Sequence, residues 1–117
     1  MKKIRIVFSR EATEAYARLT KNSENSKINR SILKSINKKL ELIKMDVHYG
    51  KHLPRKVIPR EYIQKYEVNN LFKIELPNFW RMLYTLKTEE KEIEVIAFLL
   101  NIVNHSNYNK IFKYKKR

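Results

Sequence analysis

A chain of 117 residues with 26 Lys and Arg against 12 Asp and Glu carries a formal charge of +14. That length suits one domain, burying roughly 65% of the unfolded chain's surface around a single core. The charge excess repels itself unless a polyanion answers it, nucleic acid ahead of an anionic membrane surface. The absence of cysteine excludes disulfides, thiolate zinc sites and cysteine nucleophiles, and a single glycine excludes a glycine-rich phosphate loop and the nucleoside triphosphate chemistry it serves.

From the N-terminus, Ile4, Ile6 and Phe8 alternate with Arg5 and Val7, which predicts a short strand with one strongly apolar face. Ser9 offers an N-cap and Glu11 a negative charge in the first turn of a helix whose apolar positions are Ala12, Tyr16 and Leu19. The polar cluster "NSENS" at 22–26 ends it. A second helix follows, with Ile28, Ile32, Ile36, Leu40 and Ile43 on one face and Lys34, Lys38, Lys39 and Lys44 on the others, so the pair forms a helical hairpin. Residues 50–70 contain two of the three prolines and no sustained period, which predicts a loop with one short helical turn around Tyr62 to Tyr66. Phe72, Ile74 and Leu76 then alternate with Lys73 and Glu75. A turn at Pro77 and Asn78 leads into Trp80, Met82, Tyr84 and Leu86 alternating with Arg81, Leu83 and Thr85, a β-hairpin. A second turn, "KTEEKE", precedes "IEVIAFLLNIV", apolar on both faces and therefore a central strand. His105 lies in the polar turn after it, and the chain closes on a basic tail. No apolar run approaches the ~20 residues of a membrane-spanning helix, and "MKKIRIVFSRE" lacks the apolar core of a signal peptide, so a cytoplasmic location is expected.

Strand, helix, helix and three further strands predict an α+β domain, with the N-terminal strand and helical hairpin packed on one face of a mostly antiparallel sheet. The opposite face is expected to be open. Alternation sends Phe72, Ile74, Trp80, Met82 and Tyr84 toward the helices and Lys73, Glu75, Arg81, Leu83 and Thr85 away from them, with His105, Tyr108 and Lys110 able to fold back to the rim of that second face.

This order of elements, together with "LFKIELPNFWRMLYTLKTEEKEIEVIAFLLNIVNHSNYNKIF", resembles the RelE/ParE toxin superfamily in its RelE-like branch of messenger-RNA endonucleases: a strand, a turn, a "(Y/W)RxxY" strand, a central apolar strand and a closing "HxxY" segment. The resemblance implies one RelE-like domain over residues 1–117, with 113–117 as a basic tail. It also implies a metal-independent endoribonuclease toxin that cleaves messenger RNA on the ribosome, needs no cofactor, and is held inactive by a cognate antitoxin protein. Carried over by position, the catalytic residues are Lys73, Arg81, His105 and Tyr108, and Lys110, Lys113, Lys115, Lys116 and Arg117 bind RNA. Where some relatives have a second lysine two residues beyond the first, this chain has Glu75, and the segment around "HLPRKVIPREY" is longer than in compact members. Two other functions fit the same fold: a ParE-like toxin that inhibits gyrase by binding, and a basic RNA-binding module without the reaction.

The chemistry follows from residue types. RNA breaks when its 2′-hydroxyl attacks the adjacent phosphorus, which needs a proton acceptor, a donor to the leaving 5′-oxygen, and positive charge beside the phosphorane. Histidine fills either proton role, Arg81 offers a planar fork to two phosphate oxygens, and Lys73 a compact charge that stabilises the phosphorane or exchanges a proton. Tyr108 is placed to orient the ribose or stack on a splayed base. Plainer roles stand beside these. Arg81 pairs with Glu75 across the hairpin, His105 is a turn residue, and Tyr108 with Phe112 seals the core. Asp46, His48 and His52 lack a third clear metal ligand beyond the loop histidines, and no metal site is expected.

Overall fold

A computed structural model describes residues 3–88 and 94–113 of the chain. The elements are β1 (Lys3–Phe8), α1 (Arg10–Asn22), α2 (Lys27–Met45), β2 (Lys51–His52), α3 (Arg60–Tyr66), β3 (Phe72–Glu75), β4 (Arg81–Thr88), β5 (Glu94–Val103) and α4 (His105–Phe112). The strands form one sheet in the order β1-β5-β4-β3-β2, with β1 parallel to β5 and the other pairs antiparallel. The fold is α+β, and the long apolar strand β5 is central, as its two apolar faces require.

Ser9 joins the first strand to the first helix. Its Oγ accepts from the Ala12 N–H at 3.0 Å, capping α1, and donates to the Leu100 carbonyl at 2.6 Å. One buried hydroxyl therefore starts α1 and ties it to β5. α1 ends in a 3₁₀ turn at Ser23–Asn25, and Ser26 caps α2 by accepting from the Asn29 N–H at 3.2 Å. The apolar faces of the two helices meet the sheet in a core containing Ala12, Leu19, Ile32, Ile36, Met82 and Tyr84.

A bulge in β5 sets which residues enter that core. Leu83 pairs with Asn101 but its neighbour Tyr84 pairs with Leu99, so Leu100 is the extra residue. The alternation is reversed there: Ala97 and Leu99 face α1 and α2, and so does Ile102, whereas Leu100 and Val103 face the other side. Without the bulge, Asn101 would point into the core.

The second face of the sheet is not open. Leu53, Ile58, Tyr62 and Val68 from the 53–68 segment and Tyr108 from α4 pack onto Leu83, Leu100 and Val103, giving a second apolar cluster. The physical reason lies in the strands: Leu83 and Leu100 are each 0% exposed, and leaving them in water would forfeit about 1.5–3 kcal/mol apiece. The helical turn expected around Tyr62 to Tyr66 is the seven-residue helix α3, ended by Glu67 in a left-handed conformation (φ 54°). The segment after β5 differs from the expected polar turn: it is a helix capped by Asn104, whose side chain accepts from the Asn107 N–H at 2.9 Å. Most of the expected "KTEEKE" turn lies outside the described residues. Among the described residues no helix is long and apolar enough to cross a membrane.

Candidate functional site

β3 and β4 pair so that Glu75 stands opposite Arg81 and Lys73 opposite Leu83. Lys73, Glu75 and Arg81 therefore share the sheet face that α4 covers, at the end of the hairpin. Tyr108 supplies the floor. It is 5% exposed, Phe112 stacks on it with ring centroids 4.4 Å apart, the Arg81 guanidinium carbon lies 4.6 Å from its centroid and the Lys73 Nζ 5.6 Å. Both cations gain from the ring quadrupole where little water competes.

Glu75 joins the two charges. Its carboxylate is 3.1 Å from Lys73 Nζ and 3.4 Å from Arg81 Nε, and its side chain is 60% exposed while those of Lys73 and Arg81 are 18% and 13% exposed. Two cations face one carboxylate, so the cluster keeps a net positive charge. Arg81 Nε is buried and makes no hydrogen bond of good geometry. Its Nη1 donates to the Phe79 carbonyl at 2.9 Å and lies 2.8 Å from His105 Nδ1. A guanidinium can only donate. Nδ1 therefore accepts in that contact, and the other ring nitrogen, Nε2, lies 3.3 Å from Asn109 Nδ2. His105 opens α4, whose N-terminal turn adds partial positive charge beside the cluster.

Lys73, Arg81, His105 and Tyr108 are thus brought together by geometry. Tyr108 differs from expectation in one respect: with Phe112 stacked on it and Arg81 over it, it has no free face for a base. The Glu75–Arg81 pair across the hairpin is present as the plainer reading has it. His105 is a helix residue rather than a turn residue. Glu75 and Phe79 contact the site without having been assigned to it, and Asn109 was not singled out at all. For Phe79 the signal was "PNF", a turn in which an aromatic follows asparagine.

Lys110 on α4 and Lys113 just after it are exposed and take no part in this cluster. They line a groove of about 630 Å³ with Lys56 and Arg60 over Ile58 and Phe112. Lys115, Lys116 and Arg117 lie outside the described residues. His48 and His52 pack against the Phe72 ring with centroids at 5.8 and 5.1 Å, and no group of three metal-ligating side chains occurs among the described residues.

Comparison with family models, with curated proteins and with solved structures gives no match to this chain. The resemblance to RelE-like toxins therefore stands on the residues quoted for it.

Proposed function

We propose that the protein is an endoribonuclease that breaks RNA by attack of its own 2′-hydroxyl, the toxin of a RelE-like toxin–antitoxin pair. The observation that carries the reading is the meeting of Lys73 and Arg81 over the Tyr108 ring with His105 against Arg81. An entering phosphodiester displaces the exposed Glu75 carboxylate and takes the Arg81 fork and the Lys73 ammonium in its place. Once Arg81 turns to the phosphate, Nδ1 of His105 is released as a proton acceptor. His105 then takes the 2′-hydroxyl proton, the 2′-oxygen bonds to phosphorus, the bond to the 5′-oxygen breaks, and Lys73 supplies that oxygen with a proton. The products are a 2′,3′-cyclic phosphate and a 5′-hydroxyl. This route uses only the protein's own side chains.

Single-turnover cleavage of RNA, with ribosomes supplied, tests this reading. Arg81→Ala and His105→Ala should each lower the rate by about 10²-fold or more, while RNA binding survives, because each removes little of the attraction supplied by 26 basic residues. A His105→Ala protein that cleaves at the wild-type rate would sink it. The second reading, a non-catalytic RNA-binding module, is favoured by Glu75, which holds both cations. It predicts salt-dependent RNA binding with no cleavage by any variant. Expression in the native host should arrest growth in the first case only, and co-expression of a cognate antitoxin should relieve it.

A further inference from the structure

Phe79 is 71% exposed and stands in the tight turn between β3 and β4. Asn78 and Phe79 both have left-handed backbone, at φ 57° and 62°, and the Trp80 N–H closes the turn on the Pro77 carbonyl at 3.3 Å. Asparagine tolerates that conformation, but a phenylalanine there is strained, and glycine would make the turn without penalty. The ring gains little from the fold in return. It is bare toward solvent, and its ring contact is with His105, at 6.0 Å between centroids and 59° between planes. The same residue's carbonyl receives Arg81 Nη1 at 2.9 Å. A large apolar ring is therefore held, against local steric preference and in water, at the rim of the cation cluster.

We infer that Phe79 is a stacking platform for one unpaired nucleobase, whose neighbouring phosphate is taken by Arg81 and Lys73. The chemistry of the place selects this ligand. A nucleotide carries a flat π-face next to a phosphate, and an aromatic face beside an arginine and a lysine is how single-stranded bases are held. A base inside a duplex has both faces covered by its neighbours, so the platform takes single-stranded RNA. Tyr108, with Phe112 against it and Arg81 over it, is closed to that role. The inference deepens the RNA reading of the same site and rests on it.

Two probes separate base stacking from charge: a single-stranded oligouridylate, and inorganic polyphosphate, which has the anions without the bases. Phe79→Gly should lower affinity for oligouridylate about tenfold and leave affinity for polyphosphate unchanged. Its thermal midpoint should be no lower than that of the wild type, because glycine accepts the left-handed backbone. Phe79→Trp should restore the lost affinity. Unchanged oligouridylate binding by Phe79→Gly would overturn the platform, and so would an equal loss toward both probes, which would make Phe79 a support for the turn and its cations. A wild-type protein without salt-dependent affinity for oligouridylate would remove the RNA reading and the platform with it.

Discussion

Tyr84 shows how much one atom can hold. Its ring is 0% exposed, stacked on Phe72 at 5.1 Å, and its hydroxyl accepts from the Gly50 N–H at 2.9 Å and donates to the Val47 carbonyl at 2.8 Å. Burial pushes the phenol above its ordinary titration range. Gly50 has no room for a side chain: a Cβ there would lie 2.9 Å from Tyr84 Cε1. Tyr84→Phe keeps the ring and removes the hydroxyl, leaving two backbone groups without their partner, and should cost about 1–3 kcal/mol in denaturant unfolding. Alternation along the strand was enough to place Tyr84 in the core. Its hydroxyl partners were not legible, because they sit 34 and 37 residues earlier in a segment with no period. The candidate site divides the same way. Lys73, Arg81, His105 and Tyr108 were carried over by position from the family resemblance, and the Glu75–Arg81 pair was open to strand alternation, whereas the contact of Glu75 with Lys73 and the exposed ring beside them depend on side-chain placement and the turn's backbone.

The two short helices were the least legible elements, α3 showing only as one helical turn and α4 as a polar turn. β1, α1, α2, β3 and β4 each carry a period, and β5 an apolar run, long enough to see. α3 and α4 have seven and eight residues, too short to be stable alone, and they persist because tertiary packing holds them. Part of that hold on α3 is a clamp in which Lys65 Nζ and the Tyr66 hydroxyl both donate to the Glu11 carboxylate of α1. The Lys65 hydrogen bond first, and the Tyr66 hydroxyl after it, lower the Glu11 carboxyl from the ordinary 4.5 to about 2. A carboxylate depressed in the folded state contributes stability above its unfolded value and loses it as pH falls toward the folded one. Because the pair is largely exposed, solvent screens it and the global effect is small. Hydrogen exchange reads it locally: α3 amides should lose protection progressively from about pH 5 to about pH 2. Glu11→Gln should show lower α3 protection already at neutral pH and little further change on acidification. Equal protection in the two proteins at neutral pH would count against the clamp.

The excess of positive charge is spread over the molecule, while the cation cluster holds a net single charge, so attraction and reaction depend on different residues. RNA affinity should fall steeply with salt, the logarithmic slope losing about 0.7 for each phosphate contact removed on single strands. Replacing Lys56, Arg60, Lys110 and Lys113 along the α3–α4 groove with neutral residues should flatten that slope and weaken binding, yet leave the single-turnover rate at saturating RNA where it was. A slope that does not change would take the groove out of the binding surface.

The parallel pairing of β1 with β5 also has a consequence for how the chain folds. Lys3 faces Glu94 and Phe8 faces Leu99, so the edge strand finds its partner only across roughly ninety residues, and Ser9 needs the carbonyl of Leu100 before it is fully bonded. Such long-range closure is slow, because the loop entropy is lost before the contacts reward it. During synthesis, at about 5–20 residues per second, β1 waits roughly 5–20 s for β5 to emerge. Through that interval α1 and α2 have no completed sheet to cover Ile32, Ile36 and Ile43, and the nascent chain is most exposed to aggregation just before the strand that completes its fold arrives.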